Sequence, residues 1–296
     1  MTVTNWQKQL SDKTVHGISA GRGPLVLCLH GFPDHPSTFT SQLNALAAAG
    51  FHAVAPYMRG YHPDMLSPDD TYQTAALAED AIELIEGLGY DEAVVFGHDW
   101  GAAVAALTTV FAPQKVRALI TAAVPYGNKL GEAFITNPTQ QRLSWYMFFF
   151  QSPLAEMAVA HNDLTFIRRL WQDWSPSWDF ADDDIQPVLE TLRDPQVLNA
   201  ALTYYRCALN PDYQKAAFAE RQARGGEPIK VPSLHLHGGE DGCIGVDMTA
   251  GMAQFYEAAF ELEILPHCGH FLHREDAAAV NERLLQFLKR HASMEA

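Results

Sequence analysis

Apolar positions follow two alternating rhythms along the chain. Short, mostly apolar runs occur at 25–29, 53–55, 93–96, 118–124, 233–236 and 261–265. Their length and continuity read as strands buried on both faces. Pro56 stops the second run, Gly97 the third and Pro125 the fourth. Between them lie stretches with helical spacing, such as 74–87, where Ala78, Ile82 and Ile85 stand four and three residues apart. Strand and helix in alternation predict a mostly parallel sheet wrapped by helices, an α/β fold. The segment 4–18 is expected to add one or two leading antiparallel strands.

The rhythm breaks between Tyr126 and Gly226. This region is helical in pattern, contains four of the six tryptophans (Trp145, Trp171, Trp174, Trp178) and offers no convincing strand. Arg224-Gly225-Gly226-Glu227-Pro228 marks its exit. The expected organisation is a core of residues 1–125 and 227–296, with a helical lid, 126–226, inserted where open α/β sheets present their ligand crevice. Most of the lid aromatics would be its own core. The acidic run Asp182-Asp183-Asp184 precedes Ile185 and Pro187 and suits the positive end of a starting helix, so it receives no catalytic role.

Composition narrows the partners. The 296 residues carry 20 basic and 35 acidic side chains, a formal net charge of −15. That balance repels phosphate backbones and anionic headgroups, so nucleic acid and membrane surfaces are poor partners. No apolar run approaches the roughly 20 residues of a membrane helix, and the first ten residues lack an apolar signal core. The four cysteines, Cys28, Cys207, Cys243 and Cys268, show no Cys-x-x-Cys spacing. They read as small packing residues in a reducing compartment, and a cytoplasmic protein is expected. A homo-oligomer remains open.

Candidate chemistry begins at Gly97-His98-Asp99-Trp100-Gly101, between a buried strand and an alanine-rich helix. Small residues around a central side chain permit a strand-to-helix turn sharp enough to hold that residue strained and exposed. This is the nucleophile elbow, with aspartate where serine is usual. A plain helix cap at Asp99 is the alternative. Three further signals sit at strand ends. His30-Gly31-Phe32-Pro33 would bring the Phe32 N–H near that of Trp100, as a pair of oxyanion donors. Gly238-Gly239-Glu240-Asp241 places an acid on a loop, and Cys268-Gly269-His270 places a histidine after the last strand. The order nucleophile, acid, histidine is that of the α/β-hydrolase fold.

On these residues, with Met58-Arg59-Gly60-Tyr61, the chain resembles the epoxide hydrolase branch of the α/β-hydrolases over nearly its full length, with haloalkane dehalogenases as relatives. The segments Trp145-Tyr146-Met147-Phe148-Phe149-Phe150-Gln151 and Leu202-Thr203-Tyr204-Tyr205-Arg206 resemble those that carry the family's ring-opening tyrosines. The resemblance thus implies Asp99 as nucleophile, His270 as base, Asp241 as its orienting acid, and Tyr146 and Tyr205 as proton donors, with Tyr126 the alternative to Tyr146. It implies amides of Phe32 and Trp100 as the oxyanion hole, and Trp100, Phe32 and Phe149 against the substrate. The implied partners are a small apolar epoxide and water.

The chemistry is coherent with those residues. An ionised carboxylate attacks an sp³ carbon without prior deprotonation and leaves an alkyl ester. The imidazole then activates water to hydrolyse that ester. An epoxide oxygen leaves as an alkoxide and needs a phenol or similar donor; a halide needs N–H donors, which a second lid tryptophan could supply. No cofactor is expected, since no Gly-x-Gly-x-x-Gly or Walker-type loop occurs. No metal is expected either: His235 and His237, or His267, His270 and His273, lack a completing ligand. His98 is expected behind the elbow, Arg59 in a loop-holding ion pair, and Glu240 as the alternative acid.

Overall fold

The computed structural model describes residues 2–10 and 13–292. Eight strands form one sheet: β1 (Thr4–Gln9), β2 (Thr14–Gly21), β3 (Leu25–Leu29), β4 (His52–Pro56), β5 (Ala93–His98), β6 (Val116–Ala122), β7 (Ser233–Gly238) and β8 (Phe260–Leu265). Their order is β1-β2-β4-β3-β5-β6-β7-β8, with β1–β2 and β2–β4 antiparallel and every later pairing parallel. The expected α/β-hydrolase architecture, with its leading antiparallel strands, is what the chain forms.

The alternation of side chains across the pleat divides the core into two layers. Leu25, Leu27 and Leu29 of β3 face one layer, while Val26 and Cys28 face the other. All five are buried, as the unbroken apolar run requires. On one face pack α1 (Thr40–Ala48) and the C-terminal helix; on the other, α2 (Thr74–Gly87) and α3 (Trp100–Phe111). The bounds of α2 coincide with the expected 74–87. β6 ends earlier than the apolar run suggests, because Ala123 adopts φ 67° and turns the chain out of the sheet.

Between β6 and β7 the chain is helical, and among the described residues no strand interrupts it. The helices are α4 (Lys129–Thr136), α5 (Pro138–Leu143), α6 (Trp145–Phe149), α7 (Ala155–Trp174), α8 (Asp182–Leu192), α9 (Pro195–Leu209) and α10 (Ala219–Gln222). α7 is broken at 161–164, where Asn162, Asp163 and Leu164 take φ of 50°, 52° and 61°. The acidic run caps α8 as expected, Asp184 accepting from the Ala181 N–H at 2.9 Å. Asp194 caps α9, accepting from Gln196 and Val197 at 2.8 and 3.3 Å, with Pro195 in the first turn. α11 (Leu272–Glu275) and α12 (Ala277–His291) follow β8.

The strand order reverses between β3 and β5, because the chain runs from β3 to β4 on one side and then crosses to β5 on the other. Open α/β sheets bind ligands outside the carboxyl ends of their strands at such a point. Phe32 follows β3 there, and Asp99 follows β5.

Candidate active site

The turn after β5 is strained in the way the sequence suggests. Asp99 has φ 53° and ψ −122°, a conformation a non-glycine residue rarely adopts. Both flanking glycines are required by space: a β-carbon at Gly97 would overlap the Gly101 carbonyl oxygen, and one at Gly101 the Leu29 carbonyl oxygen. Asp99 makes no side-chain cap bond to α3, so the plain helix-cap alternative fails.

The carboxylate of Asp99 is held from two sides. The Phe32 N–H donates to Oδ1 at 2.7 Å, and His270 Nε2 lies 3.4 Å from Oδ2. Gly31 permits this approach, since a β-carbon there would strike the Asp99 side chain and the Trp100 amide nitrogen. The Phe32–Pro33 peptide is cis.

Behind His270, Asp241 Oδ2 accepts from Nδ1 at 2.9 Å. Its Oδ1 accepts from the Cys243 and Ile244 amides at 2.7 and 2.9 Å, a turn that fixes the carboxylate beside the imidazole. Burial opposes ionisation of Asp241, but the His270 charge and these bonds outweigh it and hold the carboxyl below its usual range. Burial likewise opposes the charged form of His270; the charge and bond of Asp241 and the nearby Asp99 carboxylate outweigh it and raise the imidazole well above its ordinary value. Glu240, the alternative acid, instead meets the Ser177 hydroxyl.

The two expected tyrosines come together differently. Tyr205 lines a cavity of roughly 340 Å³ with Asp99, Trp100, Phe134, Met147 and Ile244. Its hydroxyl is buried with no hydrogen-bond partner among the described residues. Burial, with the negative charge of Asp99 next, pushes this phenol well above its ordinary value, and the nearby Trp100 indole offsets that only in part. Its neighbour Tyr204 turns away and donates to the Arg59 carbonyl at 2.6 Å. Tyr146 is fully buried, its ring 5.5 Å from that of Tyr205 and its hydroxyl 3.2 Å from Cys243 Sγ. Tyr126 donates to the Glu227 carbonyl at 2.6 Å, outside this group.

Some expected residues lie elsewhere. Phe149 packs on Trp145, Phe150 and Phe166 and does not line the cavity. Two residues along a helix is a turn of about 200°, so Met147 faces the cavity in its stead. The Phe32 ring is fully buried against Phe150, Trp174 and Tyr205 rather than lining it. Trp100 is partly exposed at the wall. His98 sits behind the elbow, bonded to Asp34 Oδ2 at 3.3 Å and to the His270 carbonyl at 2.9 Å. Arg59 pairs with Asp80 at 2.6 Å. His235 and His237 bond each other at 3.2 Å, and His237 anchors the Ile244 carbonyl of the Asp241 loop.

Cys243 departs from expectation. It is buried, as a packing residue would be, yet its sulfur lies within 4.8 Å of an Asp99 carboxylate oxygen and a His270 ring nitrogen. Burial pushes its thiol up to about 11. Its place two residues beyond Asp241 was the available signal.

The model of the α/β hydrolase fold matches residues 24–277. Epoxide hydrolase 3 of Xenopus tropicalis is 31% identical over 283 residues, covering 93% of this chain and 74% of that protein. The AB hydrolase superfamily protein YfhM of Bacillus subtilis is 29% identical, covering 93% and 94%. The crystal structure of the Bacillus megaterium epoxide hydrolase in complex with an inhibitor aligns with a TM-score of 0.82 at 27% identity, covering 96% of this chain and 100% of that one. The chain belongs to the α/β-hydrolase family, in its epoxide hydrolase branch.

Proposed function

We propose that this protein adds water to a small apolar epoxide to give a vicinal diol, through an alkyl ester on Asp99. The observation that carries the reading is that Asp99 and Tyr205 line one apolar cavity, the Tyr205 hydroxyl buried without a partner, with His270 3.4 Å from the Asp99 carboxylate. A carboxylate alone suits any alkylating substrate; a phenol waiting opposite it suits one whose leaving group is an alkoxide.

In the first step Asp99 Oδ2 attacks an epoxide carbon, and the C–O bond of the ring breaks. The alkoxide takes a proton from Tyr205, with Tyr146 as the second phenol. Their raised values keep both phenols protonated at neutral pH, so they are loaded when substrate enters. An alkoxide is a far stronger base than a phenolate, so the transfer remains downhill. In the second step water attacks the Asp99 carboxyl carbon, giving its proton to His270. Alkylation has by then neutralised Asp99, withdrawing one support of the charged imidazole and moving His270 towards the free base the step requires. The oxyanion rests on the Phe32 amide, already 2.7 Å from Oδ1, and on the Trp100 amide. Each such donor contributes on the order of 3 kcal/mol. Collapse of the oxyanion breaks the bond between the Asp99 carboxyl carbon and the ester oxygen. His270 returns its proton to the departing diol oxygen, and the Asp99 carboxylic acid so formed gives its proton back to the Tyr205 phenolate.

The lid is helices α4–α10, and it excludes water from the ring-opening step. Halide release finds less support: Trp171 Nε1 is bonded to the Pro33 carbonyl at 2.8 Å, and none of the four lid tryptophans lines the cavity. The test is His270→Gln mixed with an excess of an aryl glycidyl ether. Intact mass should rise by one substrate mass, mapping to the Asp99 peptide. A variant that is folded and stays unmodified refutes the reading.

A further inference from the structure

Asp99, Cys243 and His270 each offer one ligand atom, all three residues are buried, and these atoms lie within 4.8 Å of one another. The reaction above uses two of them and leaves the thiol without a task. We infer that the three form a binding site for a single thiophilic divalent cation, zinc being the type, whose occupation shuts the active site.

Carboxylate, imidazole and thiolate together are a donor set that suits zinc and poorly suits magnesium or calcium. Tetrahedral zinc, with bonds of about 2.0–2.3 Å, holds its donors about 3.3–3.8 Å apart. The present spread therefore needs to close by little more than about 1 Å. His270 Nε2 has no hydrogen-bond partner among the described residues, although it is fully buried. It is aimed at Asp99 Oδ2, 3.4 Å away.

The surroundings supply what ligands of a metal need from their neighbours. Asp241 binds His270 through Nδ1 at 2.9 Å and so presents Nε2 to the site, the carboxylate–histidine–metal arrangement. The Phe32 N–H occupies Asp99 Oδ1 and leaves Oδ2 as the ligand. The Tyr146 hydroxyl, 3.2 Å from Cys243 Sγ, can donate to the thiolate. With three protein ligands, the fourth position opens towards the cavity at Asp99. Binding releases the thiol proton, and any imidazole proton, to solvent. It ties up the nucleophile and the base at once, so the cation acts as an inhibitor rather than a cofactor.

Other histidine clusters are the controls. His16, His62 and Asp64 form a more accessible group whose stacked rings lie 4.0 Å apart. In the buried group of Asp34, His98 and His273, both ring nitrogens of His98 are already bonded.

The binding claim stands apart from the epoxide hydrolase reading, and only the inhibition rests on it. Purified, reduced protein and its Cys243→Ala, Cys243→Ser and His62→Ala variants are titrated with zinc chloride by calorimetry. Cobalt chloride is added in parallel to follow the thiolate-to-cobalt charge-transfer absorption, and thermal melts check folding. The expected result is that wild type and His62→Ala bind one zinc with the cobalt band present. Both Cys243 variants lose the band and bind at least about 100-fold more weakly at this site. Zinc should also inhibit epoxide turnover of wild type competitively. A wild type without the cobalt band, or a folded Cys243→Ser that binds zinc as wild type does, overturns the site. A cobalt band in a protein that turns over no epoxide leaves the metal site standing and removes the functional reading instead.

Discussion

Tyr205→Phe should weaken catalysis and strengthen the fold in the same molecule. Its hydroxyl is buried without a partner, and a buried, unsatisfied hydroxyl costs about 1–3 kcal/mol. Replacing it by hydrogen leaves the ring contacts to Phe32, Trp100, Tyr146 and Phe150 in place, at centroid distances of 5.3, 5.1, 5.5 and 5.1 Å. The variant should therefore gain about 1 kcal/mol or more. For a domain of this size that corresponds to a melting shift on the order of 2–4 °C. In the proposed ring opening the same hydroxyl would meet a developing alkoxide at a site shielded from water. Loss of one such donor costs about 2.7–4 kcal/mol, or roughly 10²–10³ in kcat. Urea titration and steady-state turnover of an apolar epoxide measure the two effects side by side. Undiminished kcat/KM in Tyr205→Phe combined with Tyr146→Phe would refute the phenol assignment. A melting point lowered by Tyr205→Phe would refute the idea of an orphaned hydroxyl.

Other perturbations have equally definite signs. Asp241→Asn should cut kcat by about 10²–10⁴ by misplacing the His270 proton, and rapid quench should show ester accumulating rather than failing to form. Gly97→Ala drives a β-carbon into the Gly101 carbonyl and should cost about 3 kcal/mol, the upper end of the usual overpacking range, read as loss of soluble protein or an early urea midpoint. His273 is buried, its two ring nitrogens unpartnered, and burial holds it well below the ordinary imidazole value. A group depressed in the folded state adds stability above its unfolded value, near 6.5, and loses it as pH falls further. His273→Leu should flatten that acid limb by up to about 1.4 kcal/mol per pH unit, measured by urea titration from pH 7 to 4. An acid limb unchanged in the variant would mean that His273 is not the group taking up the proton.

What could be read from the chain, and what could not, follows from where each signal is written. Helix α2 was legible to its ends because its apolar stripe is local. The elbow was legible because the glycines flank Asp99 in the chain itself, Gly97 being demanded by the Gly101 carbonyl four residues on, although Gly101 answers to Leu29 of a distant strand. The central strands were legible because each holds a short apolar run, unlike the polar β1. The end of β6 was not, since Ala, Ala and Val at 122–124 look alike, while only Ala123 takes the left-handed turn. The choice between Met147 and Phe149 depends on how α6 is rolled against α7 and α9, which no local pattern states. Cys243 was invisible as a site residue because its approach to Asp99 and His270 is made by chain separations of 144 and 27 residues in the numbering.

The central claim is that Asp99 becomes an ester and that water cleaves it at the carboxyl carbon. One turnover with enzyme in excess over epoxide, in water enriched in heavy oxygen, tests it directly. The diol should leave with ordinary oxygen taken from the enzyme, and the peptide containing Asp99 should carry the heavy label. A labelled diol with an unlabelled Asp99 peptide would mean that water attacks the epoxide itself, and would contradict the account.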